Sequence, residues 1–339
     1  MRRLWLVGLL GVLACSTATP YQAGSKVSLD SYAEWVRADA VIVDGQRVQT
    51  NAATAFKGTR ATRFEEIKLG DEVRLKGVRR ADGSILATEL EAKVNGEAMF
   101  ESDVQTVTDE MEATWLREGA MFEPKDDGGK EVIGKVVTSG AQVDRVRRIT
   151  SRMLPPYVPA SKIRVHVVTT KDWNAAAMGN GALWVYTGLI DEMSDDELAI
   201  VLGHEIAHYT HEHSRRGARS GLFTQLVGMG LAAAAETIDD KVLRTAAQIA
   251  ALAAMTAALS NYSRNHEDQA DRVGLRYVHE GGFDVRKGPA LWARFREKYG
   301  EQNTVVNFFL GSHSRPTDRI RNIEHELVVN YGVVPGSYW

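Results

Sequence analysis

The sequence predicts an α+β protein of two domains, a small all-β barrel followed by a larger domain mixing helices with a small sheet. Three observations support this class. The chain has 339 residues, 44% hydrophobic and 25% charged, with 8 prolines and 30 glycines. That is ordinary globular composition and excludes disordered, collagenous and fibrous chains. The length suits two cores at roughly 100–200 residues per domain. Short alternating runs with glycine turns fill residues 32–93, whereas the helix-starting signals come later.

Lysine and arginine number 41 against 44 aspartate and glutamate, a formal charge of -3. A nucleic-acid binder carries a basic excess, so that class is excluded. The single cysteine rules out an intrachain disulfide, a thiolate zinc site and CxxC redox chemistry. Residues 1–19 predict a signal peptide: Arg2 and Arg3, an apolar run from Leu4 to Ala14, then Ser16 to Thr19. The run is too short to span a bilayer. It ends in Val12-Leu13-Ala14-Cys15, which resembles a bacterial lipobox and implies lipidation of Cys15 as the first mature residue. Leu13 departs from the usual small residue there, and simple cleavage near Ala18 is the alternative. Either route predicts export to the periplasm, and the lipobox route adds a lipid anchor at the outer or inner bacterial membrane.

The first domain is expected at residues 30–97. Its runs include Ala40-Val41-Ile42-Val43 before Asp44-Gly45, Glu72-Val73-Arg74-Leu75 after Gly70-Asp71, and Ile85-Leu86-Ala87-Thr88 after Asp82-Gly83. Asp-Gly between alternating runs is a strong hairpin signal. The segment resembles the small OB-like β modules of exported bacterial proteins, a resemblance of roughly sixty residues that carries no chemistry; envelope protein partners through this module are a separate expectation. Residues 98–135 read as a helical, acidic connector over 101–122 and a loop at Asp126-Asp127-Gly128-Gly129. The second domain is expected at 136–335. Within it, Gly221 to Ala235 and Thr245 to Leu259 are Ala-rich and too short to cross a membrane, so they read as a packed helical hairpin, with a membrane-dipping hairpin as the alternative.

The chemistry concentrates on one helix. Ser194-Asp195-Asp196-Glu197 is a capping box opening a helix through Leu198 and Leu202. His204-Glu205-Ile206-Ala207-His208 follows, and residues four apart share a face, so both imidazoles can approach one metal. Zinc lowers the pKa of a bound water towards about 7, and Glu205 can take that proton as the water attacks a carbonyl. His211 and His213 bring four of the nine histidines within ten residues. A third ligand is needed. A metzincin would require glycine at 211 and histidine at 214, where the chain has His211 and Ser214. A thiolate ligand is not available beyond Cys15. The remaining option is a carboxylate from Ser263-Arg264-Asn265-His266-Glu267-Asp268-Gln269-Ala270-Asp271, where Glu267 and Asp271 stand four apart. One can ligate while the other accepts the second ring N–H of a ligand histidine.

H-E-x-x-H followed by S-R-x-x-E-x-x-A-D-x-x-G resembles metallopeptidase family forty-eight, the gluzincin zinc endopeptidases. Two further blocks agree. Asn174-Ala175-Ala176-Ala177 with Val185-Tyr186-Thr187-Gly188-Leu189-Ile190 is similar to the family's N-A-x-A segment and T-G-L strand end. Gly311-Ser312-His313 through Arg319-Ile320 is similar to its S-x-H-P loop, although Ser314 replaces the proline and Pro316 comes two residues later. The match covers roughly residues 140–330.

The resemblance implies a mainly helical gluzincin domain with a small sheet. It implies one zinc per chain on His204, His208 and Glu267, with Glu205 as general base. Asp271 would stand behind a ligand histidine, and Arg319 would hold that loop or a site carboxylate. His313 would donate to the oxyanion or close the fourth zinc position at rest. The strand from Ala182 through Leu183 and Trp184, with Asn174 nearby, is expected to offer an open edge to an extended polypeptide. The expected function is zinc-dependent endopeptidase action on exported or envelope proteins, in quality control. The alternative is a chaperone or assembly factor that binds extended polypeptides and rarely cuts.

Overall fold

The structure, a computed structural model, describes residues 22–58, 61–94, 101–124, 130–213, 265–301 and 315–337. The signal segment with Cys15, the two Ala-rich stretches and the loop with His313 lie outside the described residues. The chain divides into two compact units between Lys93 and Val94.

The first unit contains β1 (Lys26–Val36), β2 (Val41–Val43), β3 (Gln46–Gln49), β4 (Ala55–Lys57), β5 (Glu72–Arg79) and β6 (Ile85–Lys93). Their order is β3-β2-β1-β5-β6-β4, and β3 also pairs with β6. Five strands therefore close into a barrel, and β4 adds to β6 in parallel. Alternation drives the closure: Val73 and Leu75 of β5 point inward between exposed Arg74 and Lys76. In β6 the alternation slips by one residue at Thr88–Glu89, beside a bulge between Lys76 and Gly77. Asp44 and Gly45 have φ of 51° and 69°, the two positive values a type I′ hairpin turn requires. β1 starts ahead of residue 30 because Val27 and Leu29 already pack against the barrel core.

The second unit contains α1 (Glu101–Glu118), β7 (Ala120–Pro124), β8 (Lys130–Val137), α2 (Ala141–Met153), β9 (Arg164–Thr169), β10 (Ala175–Ala177), β11 (Ala182–Tyr186), α3 (Thr187–Glu192) and α4 (Asp195–Thr210). A helix over 265–280, here α5, follows, then α6 (Gly288–Tyr299) and α7 (Pro316–Tyr331). The sheet runs β10-β11-β9-β8-β7, and only β9 and β11 are parallel. The class is α+β.

The sheet's two faces are covered differently. Val165, Val167, Leu183 and Val185 join the main core with residues of α2, α4, α5, α6 and α7. On the opposite face Trp184 and Tyr186 pack with Trp115 of α1 and with Met121, the Trp115 and Trp184 rings meeting edge-on at 4.9 Å. Glu112 of α1 fastens this face. It accepts from Arg164 Nε at 2.9 Å and Nη2 at 2.5 Å, lies 2.6 Å from His166 Nε2, and accepts from Asn180 Nδ2 at 2.8 Å. Burial alone would raise its carboxyl, but the bonds from His166 and Arg164 hold it at about 2.

The expected helical connector over 101–122 is shorter than predicted, and the expected loop at 126–129 lies outside the described residues. The helix ends at Glu118, and β7 and β8 then pair with each other and, through β8, with β9. β7 has only five residues, and a bulge between Met121 and Phe122 interrupts its pairing with β8, which hides the hairpin from a periodicity reading.

Candidate metal centre

α4 begins as its sequence dictates. The Glu197 N–H donates to Ser194 Oγ at 3.3 Å, and the Ser194 N–H donates to Glu197 Oε2 at 3.0 Å. Such a cap is worth about 0.5–2 kcal/mol. Three turns on, His204 and His208 stand one turn apart on a face covered by α5. The two helices cross at glycines. A Cβ on Gly203 would lie 2.8 Å from the Gly274 carbonyl oxygen, and one on Gly274 would lie 2.7 Å from the His204 nitrogen. This backbone approach lets Glu267 and Asp271, a turn apart on α5, reach the imidazoles of α4.

The three inner groups are close and buried. His208 Nε2 lies 3.0 Å from His204 Nε2 and 3.2 Å from Glu267 Oε1, and His204 Nε2 lies 3.5 Å from Glu267 Oε2. Among the described residues these three form a group that could hold a metal ion. Zinc bonds of about 2.0–2.1 Å in a tetrahedron place neighbouring ligand atoms about 3.3 Å apart, and the observed spacings bracket that value. Two nitrogens and a carboxylate oxygen are also ligand chemistry that zinc accepts.

Behind these groups lies a second layer. His204 Nδ1 is 2.9 Å from Asp271 Oδ1, and Arg319 Nε donates to Asp271 Oδ1 at 3.1 Å and Oδ2 at 3.2 Å. Arg319 Nη2 lies 2.6 Å from the same His204 nitrogen. Arg319 can donate there only to an unprotonated Nδ1. If His204 offers Nε2 to a metal, it keeps its proton on Nδ1 and gives it to Asp271. The Arg319 guanidinium stacks 3.5 Å over the Trp292 ring.

The charges shift one another. Burial and Arg319 press the His204 imidazole down, but Asp271 and Glu267 overcome them and raise it to about 9. Burial would raise Asp271, yet the charge of Arg319 holds it below the ordinary carboxylate value. Burial lowers His208, and burial with neighbouring imidazoles pushes His213 well down.

Glu205 is buried beside this group, and its Oε2 accepts from the Ala177 N–H at 3.2 Å. The Tyr186 N–H donates to the Asn174 carbonyl and the Met178 N–H to the Ala182 carbonyl. Residues 174, 176 and 178 thus face β11, while the backbone groups of Ala175 and Ala177 turn outward.

This corrects the expected edge. Ala182, Leu183 and Trp184 lie on β11, fully buried and paired on both sides with β10 and β9. The outermost described strand beside Glu205 is β10. The run Ala182-Leu183-Trp184-Val185-Tyr186 is apolar at every position, the mark of a strand buried on both faces. Asn174 precedes β10, and its Nδ2 is buried with no hydrogen-bond partner among the described residues.

Sequence reasoning does not single out Gly203, Gln269, Trp292 or the Ala177 backbone. The available signals are a glycine inside each of two otherwise helix-forming segments, Gly203 and Gly274, the second being the last position of the S-R-x-x-E-x-x-A-D-x-x-G pattern.

Residues 141–327, over half of the chain, match the family model described as Peptidase family M48. The chain belongs to peptidase family M48. Residues 32–91 match a domain of unknown function, DUF5666. Among M48 relatives, the chain is 30% identical over 162 residues to the putative beta-barrel assembly-enhancing protease of Vibrio cholerae, covering 45% of this chain and 32% of that one. It is 28% identical over 196 residues to the mitochondrial metalloendopeptidase OMA1 of Schizosaccharomyces pombe, 52% of this chain and 56% of that one. It is 25% identical over 201 residues to metalloprotease YcaL of Escherichia coli, 59% of this chain and 75% of that one. The chain thus spans about a third to a half of the first two relatives. α1 and the β7–β8 hairpin precede the residues matched to M48. No helix among the described residues is long and apolar enough to cross a membrane.

Proposed function

We propose that the chain is a zinc-dependent metalloendopeptidase of gluzincin fold that cuts exported or envelope polypeptides. The observation that carries the reading is the close, buried grouping of His204, His208 and Glu267, with the Glu205 carboxylate on the residue after His204 in the same helix. Membership of M48 supports it. In this reading His204 Nε2, His208 Nε2 and Glu267 hold the ion. Zinc bound there would lower the pKa of a water towards about 7 and polarise the scissile carbonyl.

Glu205 takes the proton of the attacking water on its carboxylate and delivers it to the leaving amide nitrogen, which departs as an amine. The Ala177 N–H fixes one oxygen of that carboxylate and so ties the base to β10. The outward backbone groups of Ala175 and the carbonyl of Ala177 receive the substrate as an added strand, which gives affinity without a fixed side-chain preference. Asn174 stands at the start of the same strand and is assigned to the substrate-binding edge. Asp271, itself held by Arg319 Nε, accepts the Nδ1 proton of His204 and so keeps His204 in the tautomer that offers Nε2. His313 acts at the same centre, at the oxyanion or at the fourth position of the ion. The signal segment and Cys15 support export and lipid anchoring, and the β-barrel unit is read as the surface for envelope partners.

The test is casein cleavage by the purified chain and by Glu205→Gln, with zinc measured on both. The reading expects cleavage by the wild type only, with equal zinc. Cleavage retained in Glu205→Gln would refute the assignment of the base.

A further inference from the structure

Four histidines crowd the end of α4, and only two belong to the group that could hold a metal. His211 turns away: its Nδ1 lies 3.0 Å from Thr210 Oγ1, which lies 2.9 Å from the Tyr277 hydroxyl. His213 turns inward. It is 4% exposed, its Nδ1 lies 2.8 Å from His208 Nδ1, and its Nε2 lies 3.1 Å from Gln269 Oε1. Its ring stacks on His266 at 4.4 Å with planes 3° apart. Gln269 comes from α5, between Glu267 and Asp271.

The positions of the protons follow from one choice. A neutral imidazole carries a single N–H. If His208 gives the lone pair of Nε2 to a metal, its proton sits on Nδ1. That N–H meets His213 Nδ1, which must then be an acceptor. The proton of His213 is therefore on Nε2, where Gln269 Oε1 accepts it. Each step leaves a donor facing an acceptor. The opposite assignment puts a proton on His208 Nε2 and removes it as a ligand.

We propose that His213 is a positioning residue of the metal centre: it accepts the Nδ1–H of His208 and hands its own Nε2–H to Gln269, fixing His208 in the tautomer that ligates. This rests on the reading of His208 as a zinc ligand. Ligand histidines usually donate their second N–H to a carboxylate, a carbonyl or water, and loss of that acceptor costs roughly 10- to 100-fold in metal affinity. Here His204 has the carboxylate of Asp271, whereas His208 has a second histidine backed by an amide. The two ligands of one helix are thus held by two different devices, both completed by α5.

The experiment measures zinc affinity of the full chain by competition with a chromophoric chelator, and the visible absorption of its cobalt(II) form. His213→Phe keeps a ring against His266 but offers no acceptor. His213→Asn places Oδ1 near the position of Nδ1 and keeps the acceptor. Gln269→Leu removes only the far end of the chain.

His213→Phe is expected to weaken zinc binding roughly 10- to 100-fold and shift the cobalt bands. His213→Asn should stay within a few-fold of the wild type, and Gln269→Leu should fall between them. Equal affinity in wild type and His213→Phe, or equal losses in Phe and Asn, would overturn the proposal. If the Phe variant does not fold, Gln269→Leu decides, since it leaves both histidines in place; wild-type affinity there would overturn the proposal. A wild-type chain that binds no zinc would overturn the ligand assignment and this proposal together, which separates the two failures.

Discussion

Replacing Gly274 by alanine tests the helix crossing on which the centre depends. The new Cβ would stand 2.7 Å from the His204 nitrogen and 2.9 Å from the Gly203 carbonyl carbon and the His204 Cα, where ordinary contact starts at 3.4 Å. All three are backbone atoms, so no rotamer change can absorb the overlap. α5 must withdraw from α4 by about 0.7 Å, the difference between 3.4 and 2.7 Å. Overpacking of this kind costs about 1–3 kcal/mol. For a unit of this size, that lowers Tm by roughly 2–4 °C per kcal/mol. Glu267 lies about two turns back on the same rigid helix, and bonds to zinc tolerate only about 0.2 Å of displacement. Gly274→Ala should therefore lose zinc affinity and, with zinc saturating, about 10²-fold in kcat/KM. Calorimetry, metal titration and a peptide assay read the three effects. Gly203→Ala should behave alike, and the double variant should cost less than the sum because one withdrawal of the helices relieves both overlaps. A Gly274→Ala chain with wild-type Tm and full zinc affinity would refute the close crossing.

Three other outcomes follow from the same physics. Arg319→Leu strands the buried Asp271 carboxylate and should cost about 3–5 kcal/mol in urea unfolding, with Arg319→Lys restoring only part because one ammonium cannot replace the guanidinium fork. Glu112 is held at about 2 in the fold against an ordinary 4.5, so its stabilising effect is complete above about pH 4.5 and fades as pH falls towards 2; Glu112→Gln should flatten that part of an acid-unfolding curve. Cys15→Ser should release the chain from membranes if lipidation anchors it, read by fractionation, because stable anchoring takes two or more acyl chains.

Local signals were legible where the physics is local. The capping box at Ser194 and the Asp44-Gly45 turn are both set by residues next to each other, and both stand in the structure. The spacing of His204 and His208 puts two imidazoles on one helix face for the same reason. Glu267 comes from a separate helix, and only the ordered family pattern pointed to it. The sheet was less legible. β7 is short and its pairing is interrupted by a bulge, and the place of β11 between β10 and β9 shows in the sequence only as its unbroken apolar run. The direction of a side chain was not legible at all. His211 and His213 are two residues apart in the same cluster, yet one bonds towards Tyr277 and the other towards His208. Nor does spacing reveal that Gly203 and Gly274 meet, because helix crossings are set by tertiary packing.

Diffraction from crystals of the purified chain, collected on both sides of the zinc absorption edge, tests the central claim most directly. The account predicts one anomalous peak per chain, about 2.0–2.2 Å from His204 Nε2, His208 Nε2 and a Glu267 carboxylate oxygen. A peak elsewhere, or a zinc bound without Glu267, would contradict it.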